Sequence, residues 1–451
     1  MKSAAVVLLL LSGCASAAGP RDAQTLAAFI DPLIESKMRA QQIPGAAFVY
    51  VKNGRVLYAK GYGLADVERK VPVSPETTIW RIGSISKVFT ATALMQLADR
   101  GAIDIDRPVN ASLRSLQTDP RVTARQLLDH TAGFDEIRPG TQAATAADVL
   151  PLAEFLRTRL VVVRTPGEIT SYSTYGMTLA GLLVEELSGM RYEDYERERI
   201  WRPLGMTRTN ITVPPELKPD LAIGYELIKG KLEPQAWEWY HTTPASSINS
   251  TALDMARFAI AHLEEDARLL SRRSMREMHR TQVTMHPRLP GWALGFIEDR
   301  IGNQRVIEHG GSVAGFSSQL VLIPESREGF YLVSQFEQGH FRDEVKEELL
   351  KHFFPRANER QPVPAPRPSE RVKTLAGRYV WTTSCHTCTP RSAPFILQLK
   401  VSDDGTIEFA GNRWIEVEPF LFVQKDGTGY IFARPPYVFA GGFWSFERVG
   451  D

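Results

Sequence analysis

Gly83-Ser84-Ile85-Ser86-Lys87-Val88-Phe89-Thr90-Ala91-Thr92-Ala93-Leu94-Met95-Gln96-Leu97 is the stretch on which the reading of this chain turns. Residues 88–97 are apolar on nearly every side, the mark of a helix buried all round, and Gly101 stops it. Ser84 suits a helix start after a turn at Gly83, and Lys87 stands three residues on, hence on the same face. A lysine buried there brings no structural gain, because a charge taken out of water must be compensated. Beside a serine hydroxyl it gains a purpose. Serine is a weak nucleophile until an adjacent base takes its proton, and a helix N-terminus puts positive partial charge beside the attacked carbonyl. S-x-x-K alone carries little information, since a capping serine beside a snorkelling lysine gives the same four residues.

Two later motifs give it weight. Tyr172-Ser173-Thr174 follows Pro166-Gly167-Glu168 and precedes an apolar helical run over 177–187 that ends at Gly189. His309-Gly310-Gly311-Ser312 stands ahead of Gly315-Phe316-Ser317-Ser318 and the strand-like Gln319-Leu320-Val321-Leu322-Ile323. With these three motifs the chain resembles the serine beta-lactamase and penicillin-binding-protein superfamily, in particular its class C beta-lactamase, D-peptidase and esterase branch, which is peptidase S12-like. Further matches are Leu127-Leu128-Asp129-His130-Thr131-Ala132-Gly133, Arg202-Pro203-Leu204-Gly205-Met206, Ala222-Ile223-Gly224-Tyr225 and Thr251-Ala252-Leu253-Asp254-Met255-Ala256-Arg257-Phe258. The resemblance covers residues 25–352 in family order.

The resemblance implies an α+β fold, an antiparallel sheet flanked by helices plus an all-helical region, with the site in the groove between them. Carried over residue by residue, it makes Ser84 the nucleophile that forms an acyl-enzyme and Lys87 the group that helps remove its proton. Tyr172 would shuttle that proton between Ser84, the leaving group and the deacylating water. His309 would hold the lysine position of the third motif and face the substrate's carboxylate or acyl chain. The backbone N–H groups of Ser84 and Ser312 would form the oxyanion hole, with Thr174, Gly310 and Gly311 beside the substrate. The chemistry is coherent if burial and neighbouring positive charge lower the pKa of Lys87 or Tyr172, and a coupled pair need not have one base.

One departure bears on substrate. The family's second motif reads Tyr-x-Asn, and here the third place is Thr174, which offers one short hydroxyl in place of an amide. His309 in place of lysine removes a permanent cation. Both changes point away from penicillins and cephalosporins and toward an ester or peptide substrate, with weak beta-lactamase activity at most. Gly310-Gly311-Ser312-Val313-Ala314 is a decoy for the G-x-S-x-G elbow: Ala314 stands where glycine is required, and no helix follows.

With 451 residues the chain is long enough for a large catalytic unit and one smaller domain. Lys and Arg total 53 against 52 Asp and Glu, a balance that offers nothing to nucleic acid. No cofactor and no metal site is indicated. Residues 1–19 read as a lipoprotein-type signal peptide and short tether: Lys2 precedes an apolar core over 4–11, and Leu11-Ser12-Gly13-Cys14 resembles a lipobox with Cys14 as the lipidated residue. An ordinary secretory signal cut near Ala15-Ser16-Ala17-Ala18 is the alternative. Either way the expected place is the cell envelope or periplasm, with the membrane reached through a lipid anchor.

Residues 20–354 form the expected hydrolase domain, and 355–371 a linker stiffened by Pro355, Pro362, Pro364, Pro366 and Pro368. Residues 372–451 alternate in short segments around Asp403-Asp404-Gly405 and Lys425-Asp426-Gly427, the pattern of a small antiparallel barrel. Leu375-Ala376-Gly377-Arg378-Tyr379 resembles the opening of the lipocalin-like barrel appended to many of these hydrolases. Cys385 and Cys388 in Cys385-His386-Thr387-Cys388 suit a local disulfide in an oxidising compartment, since zinc lacks further ligands nearby. Trp237, Trp239 and Tyr240 lie in an aromatic stretch that either forms an acyl pocket or packs beneath a loop. Two classes of function follow: a serine hydrolase on esters, peptides or D-amino-acid amides, or a non-catalytic cell-wall-binding or acylation-sensor lipoprotein of the same fold. Retention of Ser84, Lys87, Tyr172 and His309 together favours the enzyme. Oligomeric state is not legible in the sequence.

Overall fold

The computed structural model of the chain describes residues 19–136, 139–301, 304–336, 340–355, 363–365, 370–388, 396–424, 427 and 429–449. The expected signal segment with Cys14, most of the proline-rich linker and the Lys425-Asp426 turn lie outside them. Among the described residues no helix is long and apolar enough to cross a membrane.

The strand Gly45–Lys52 shows why the sheet forms where it does. Its run of apolar residues is buried on both faces. Ala47, Val49 and Val51 join one core, while Ala46, Phe48 and Tyr50 join another on the opposite side. The period of two along a strand sends alternate side chains to opposite faces, so a continuous apolar run demands cover on both. Asn53 (φ 49°) and Gly54 (φ 74°) make the tight turn, both in the left-handed region that this kind of hairpin needs. The return strand is Arg55–Asp66, longer than the apolar Val56-Leu57-Tyr58-Ala59 alone suggests.

These strands are the fifth and sixth of a seven-stranded sheet assembled from the two ends of the catalytic unit. In order across the sheet the strands are Ile297–Ile301, Gln304–Val313, Phe316–Ile323, Glu328–Gln335, Gly45–Lys52, Arg55–Asp66 and Val71–Pro72. Neighbours are antiparallel throughout, with Phe48 opposite Leu332 and His309 opposite Leu320. Helices Ala23–Gln41 and His340–Phe353 cover one face, burying Leu26, Ile30, Ile34, Phe341 and Leu349 against Phe48 and Phe330. The helical region, inserted between the early and late strands, covers the other. Its centre is Ser86–Asp99, in which every residue from Ser86 to Leu97 is buried. Phe89 stacks on Phe258 at 3.9 Å between centroids. Two polar members of that helix bond across to neighbouring segments: Thr90 donates to the Pro244 carbonyl (2.6 Å) and Gln96 to the Leu269 carbonyl (2.8 Å).

Eight strands between Gly377 and Arg448 close into an antiparallel barrel filled by side chains such as Tyr379, Ile407, Trp414, Phe422 and Phe446. Two of its strands, Asn412–Glu418 and Tyr437–Ala440, are additional to the alternating segments read from the sequence. The first carries charges towards both ends, and the second is a short apolar run directly after Pro435-Pro436. The barrel is docked on the catalytic unit. Leu421, Tyr437 and Phe439 share an apolar cluster with Ile169 and Leu289, and Arg288 meets Glu418 at 2.9 Å.

Candidate active site

Ser84 lies in a short 3-10 turn, Gly83–Ile85, immediately before the buried helix, which starts at Ser86. The serine is therefore two residues before the α-helix, whose capping position is Ile85. Gly83 adopts φ +54°, and a Cβ on it would stand 2.9 Å from the Ser312 backbone nitrogen. Glycine is thus needed on two counts, conformation and close approach. Ser86 fixes the turn by donating to the Gly83 carbonyl (2.7 Å) and accepting from the Ile248 N–H (3.1 Å).

Lys87, 1% exposed, directs its amine at two acceptors: the Ser84 hydroxyl at 3.1 Å and the Ala245 carbonyl at 3.0 Å. Burial pushes its ammonium down to about 7, against an opposing pull from the Glu136 carboxylate. Near neutral pH a share of the lysine is therefore a free amine, as a base for Ser84 must be.

Tyr172 stands just before the helix Thr174–Ser188, whose cap is Ser173: the Ser173 hydroxyl accepts from the Gly176 N–H at 2.9 Å. The Lys87 amine is 4.8 Å from the centre of the Tyr172 ring. Two residues from the Leu127–Gly133 neighbourhood complete this side. The His130 ring lies tilted against that of Tyr172, 4.7 Å between centroids, and its Nδ1 accepts from the Ser173 N–H at 3.0 Å, so the proton is on Nε2. Burial, with Lys87 and His309 nearby, holds this imidazole well below its usual pKa and neutral. Glu136 accepts from the Ser173 hydroxyl (2.7 Å) and the Tyr175 N–H (3.2 Å), and burial pushes its carboxyl up to about 7.

His309 lies on the strand Gln304–Val313, 1% exposed. Its Nδ1 is 2.7 Å from the Gly310 carbonyl, an acceptor, which assigns the proton to Nδ1 and leaves Nε2 a buried lone pair without a protein partner. Burial, helped by Lys87, pushes it down to about 3. The third motif is therefore neutral at pH 7 and supplies an acceptor where the family's lysine supplies a cation. The nearby cation comes from Arg342, on the last helix of the unit. Its Nη1 donates to the Gly311 carbonyl (2.6 Å), the Ser312 hydroxyl (3.1 Å) and the Ser318 carbonyl (3.1 Å). Gly311 is a close approach of another kind, since a Cβ there would fall 2.0 Å from the Ile82 carbonyl oxygen.

Ser84, Tyr172, Thr174, His309, Gly310 and Ser312 line one groove of about 760 Å³ with Glu136, Tyr240 and Arg342. Trp237 and Trp239 lie elsewhere. They line a neighbouring cavity of about 490 Å³ in which the buried Arg81 guanidinium sits 4.7 Å from the Trp237 ring, and Tyr240 is the wall common to both spaces. An acyl pocket built on all three aromatics therefore has to be reached past Tyr240. Glu136, Arg342 and the groove side chains from the barrel (Trp381, Phe443 and Trp444) carry no motif that a sequence scan would pick out. His130 lies within a matched stretch but gives no sign there of contact with Tyr172. Cys385 and Cys388 are joined in a disulfide beside this same region. Among the described residues no group of three or more His, Cys, Asp or Glu side chains is placed to hold a metal.

Known proteins share the fold that carries this site. Protein flp of Staphylococcus aureus is 26% identical over 336 residues, which span 72% of this chain and 65% of that relative's length. The octameric penicillin-binding protein homologue of Pyrococcus abyssi has the same fold across 93% of this chain and 99% of its own, with a TM-score of 0.65 at 24% identity. A class C beta-lactamase matches 75% of this chain and 98% of its own with a TM-score of 0.64 at 21% identity. The sequence profile of the family described as Beta-lactamase matches residues 30–352, and the chain belongs to that family of serine hydrolases.

Proposed function

We propose that the chain is an acyl-enzyme hydrolase that attacks ester or peptide bonds through Ser84. The observation that carries this is the Lys87 amine 3.1 Å from the Ser84 hydroxyl, buried so that a share of it is unprotonated near neutral pH. The amine takes the hydroxyl proton as the oxygen attacks the acyl carbon, and the leaving group departs with a proton passed along the Tyr172 side. Water then repeats the attack on the acyl-serine in the reverse sense. Backbone N–H groups of Ser84 and Ser312 receive the developing oxyanion. A donor in that position is worth about 3–4 kcal/mol.

Substrate class follows from charge. A neutral His309 and an Arg342 whose Nη1 is already shared among three protein acceptors give a substrate carboxylate little to bind. Aromatic walls favour apolar acyl or leaving groups. The reading is thus an esterase or D-peptidase with weak beta-lactamase activity, carried to the cell envelope by the signal segment and Cys14. Intact mass after treatment with a fluorophosphonate tests it, with Ser84→Ala as control. One adduct per chain, absent in the control, is expected. A folded protein that takes up none would replace this reading with a cell-wall-binding or acylation-sensing lipoprotein. Hydrolysis of nitrocefin as fast as of short-chain nitrophenyl esters would overturn the substrate class.

A further inference from the structure

The barrel lines part of the active-site groove, and its Phe443 meets Tyr172. Its ring lies 5.2 Å from that of Tyr172 and 5.9 Å from that of Trp292, centroid to centroid. Trp292 in turn meets His130 edge to face at 4.5 Å. Tyr172 is therefore boxed: His130 on one side, the Lys87 amine over its ring, and Phe443 from the other domain.

The turn carrying Phe443 is placed by contacts that leave it little freedom. Gly442 comes so close to the catalytic unit that a Cβ would be 2.9 Å from the Glu298 carbonyl oxygen and 3.0 Å from that of Gly291. Two residues past Phe443, the Ser445 hydroxyl donates to the Thr170 carbonyl at 2.7 Å, two residues before Tyr172. Thr382 bonds Ser445 through its backbone N–H (2.9 Å) and shares a hydroxyl contact with it (2.6 Å), which ties this strand to the disulfide turn. That turn clasps Asp135, the residue next to Glu136. The Asp135 carboxylate accepts from the His386 N–H (2.8 Å), the Thr387 N–H (2.9 Å) and the Thr387 hydroxyl (2.7 Å). Beside it, Arg164, buried to 2% exposure, meets Glu447 at 2.8 Å.

We propose that Phe443 is a positioning residue of the catalytic site, holding the Tyr172 ring toward Lys87 and Ser84, and that the Asp135 clasp on the disulfide turn fixes the barrel so that it can. This rests on the acyl-enzyme reading above. An apolar ring with no acid or base of its own acts here through geometry, and small misplacements of a reacting group are costly in rate. The phenol it steadies has to meet the leaving group and the deacylating water in turn, so turnover is where the loss should fall.

The test compares full-length wild type with Phe443→Ala, Phe443→Leu, Phe443→Tyr and Asp135→Asn on a short-chain nitrophenyl ester. Ser84 labelling by fluorophosphonate and the melting temperature are measured alongside. Expected for Phe443→Ala and Phe443→Leu is a fall in kcat of about 10–100-fold with KM within about threefold. Phe443→Tyr restores kcat and Asp135→Asn gives an intermediate loss. Phe443→Leu keeps the apolar bulk of the interface, so a loss it shares with Phe443→Ala at unchanged melting temperature separates positioning from unfolding. Labelled wild type together with unchanged kcat in Phe443→Leu overturns the inference alone. Wild type that is not labelled overturns the acyl-enzyme reading and this inference with it.

Discussion

Lys87 and Glu136 are two buried groups of opposite sign that burial moves toward the same value, one down and one up, each to about 7. Each can then take up or release a proton near neutral pH, which suits a site that must accept and return one in each cycle. The sign of the pH dependence follows. The free amine is the active form, so kcat/KM should fall as pH drops below about 7 and level off above it. The Glu136 carboxylate favours the Lys87 cation, so Glu136→Gln should move this acid limb to lower pH. The amide oxygen can still accept from Ser173 and Tyr175, both of which bond to one carboxylate oxygen, so only charge assistance is lost, at a cost of about 1 kcal/mol in stability. Initial rates from pH 5 to 9 and urea unfolding check both parts. An acid limb that does not move in Glu136→Gln would mean that the carboxylate serves the cap of the Tyr172 helix and nothing more.

Among the elements, the turn Gly83–Ile85 and the helix behind it matter most. Gly83→Ala places a Cβ against the Ser312 N–H and strains a left-handed residue, which costs about 1–2 kcal/mol in backbone terms alone. Activity should fall further than stability, because the strand bearing Ser312 has to retreat from Ser84. Phe89→Ala removes a fully buried ring stacked on Phe258 and should cost about 3–5 kcal/mol in denaturant unfolding. This element was legible in the sequence for a physical reason. A residue buried on every side needs no knowledge of its partners to be recognised, and Ser84 and Lys87 are near enough in the chain for helical spacing alone to pair them. Glu136, Arg342 and Phe443 are different. Each acquires its place through contacts made across the fold, and nothing in the residues flanking them says where they will end. The exact start of the helix, two residues after Ser84, turned on Ser86 bonding both to the Gly83 carbonyl and to the distant Ile248 N–H, a matter of tertiary geometry.

At the level of the whole molecule, two domains are joined by an interface whose polar part titrates. His386 lies between carboxylates: the bonds to Asp135 and Glu447 raise its pKa above the ordinary value of about 6.5, with burial opposing. A group whose folded pKa is raised adds stability that is fully present below the unfolded pKa and is lost as pH rises through the folded one. The melting temperature of wild type should therefore exceed that of His386→Gln by more at pH 6 than at pH 9. Equal differences at the two values would show that the imidazole contributes packing but no charge. The barrel itself was readable in outline from its alternating segments. Its seat on the catalytic unit was not, because Ile169 and Leu289, which meet Leu421, Tyr437 and Phe439, are ordinary apolar residues in loops.

The order of the strands in the main sheet governs when this protein becomes competent as well as what it is. Gly45–Lys52 lies against Glu328–Gln335, and the helices at residues 23 and 340 meet on one face through Lys37 and Glu344. The centre of the catalytic unit thus joins segments separated by nearly its whole length. Such distant pairings come late in folding, since a long loop must close before any contact rewards it. The turn at Ser84 can form with its helix early, yet its neighbour Ser312 arrives only when the closing strands do. A chain still short of residue 335 would own a nucleophile with nothing opposite it, and so could not act on anything until its last sheet strands were in place.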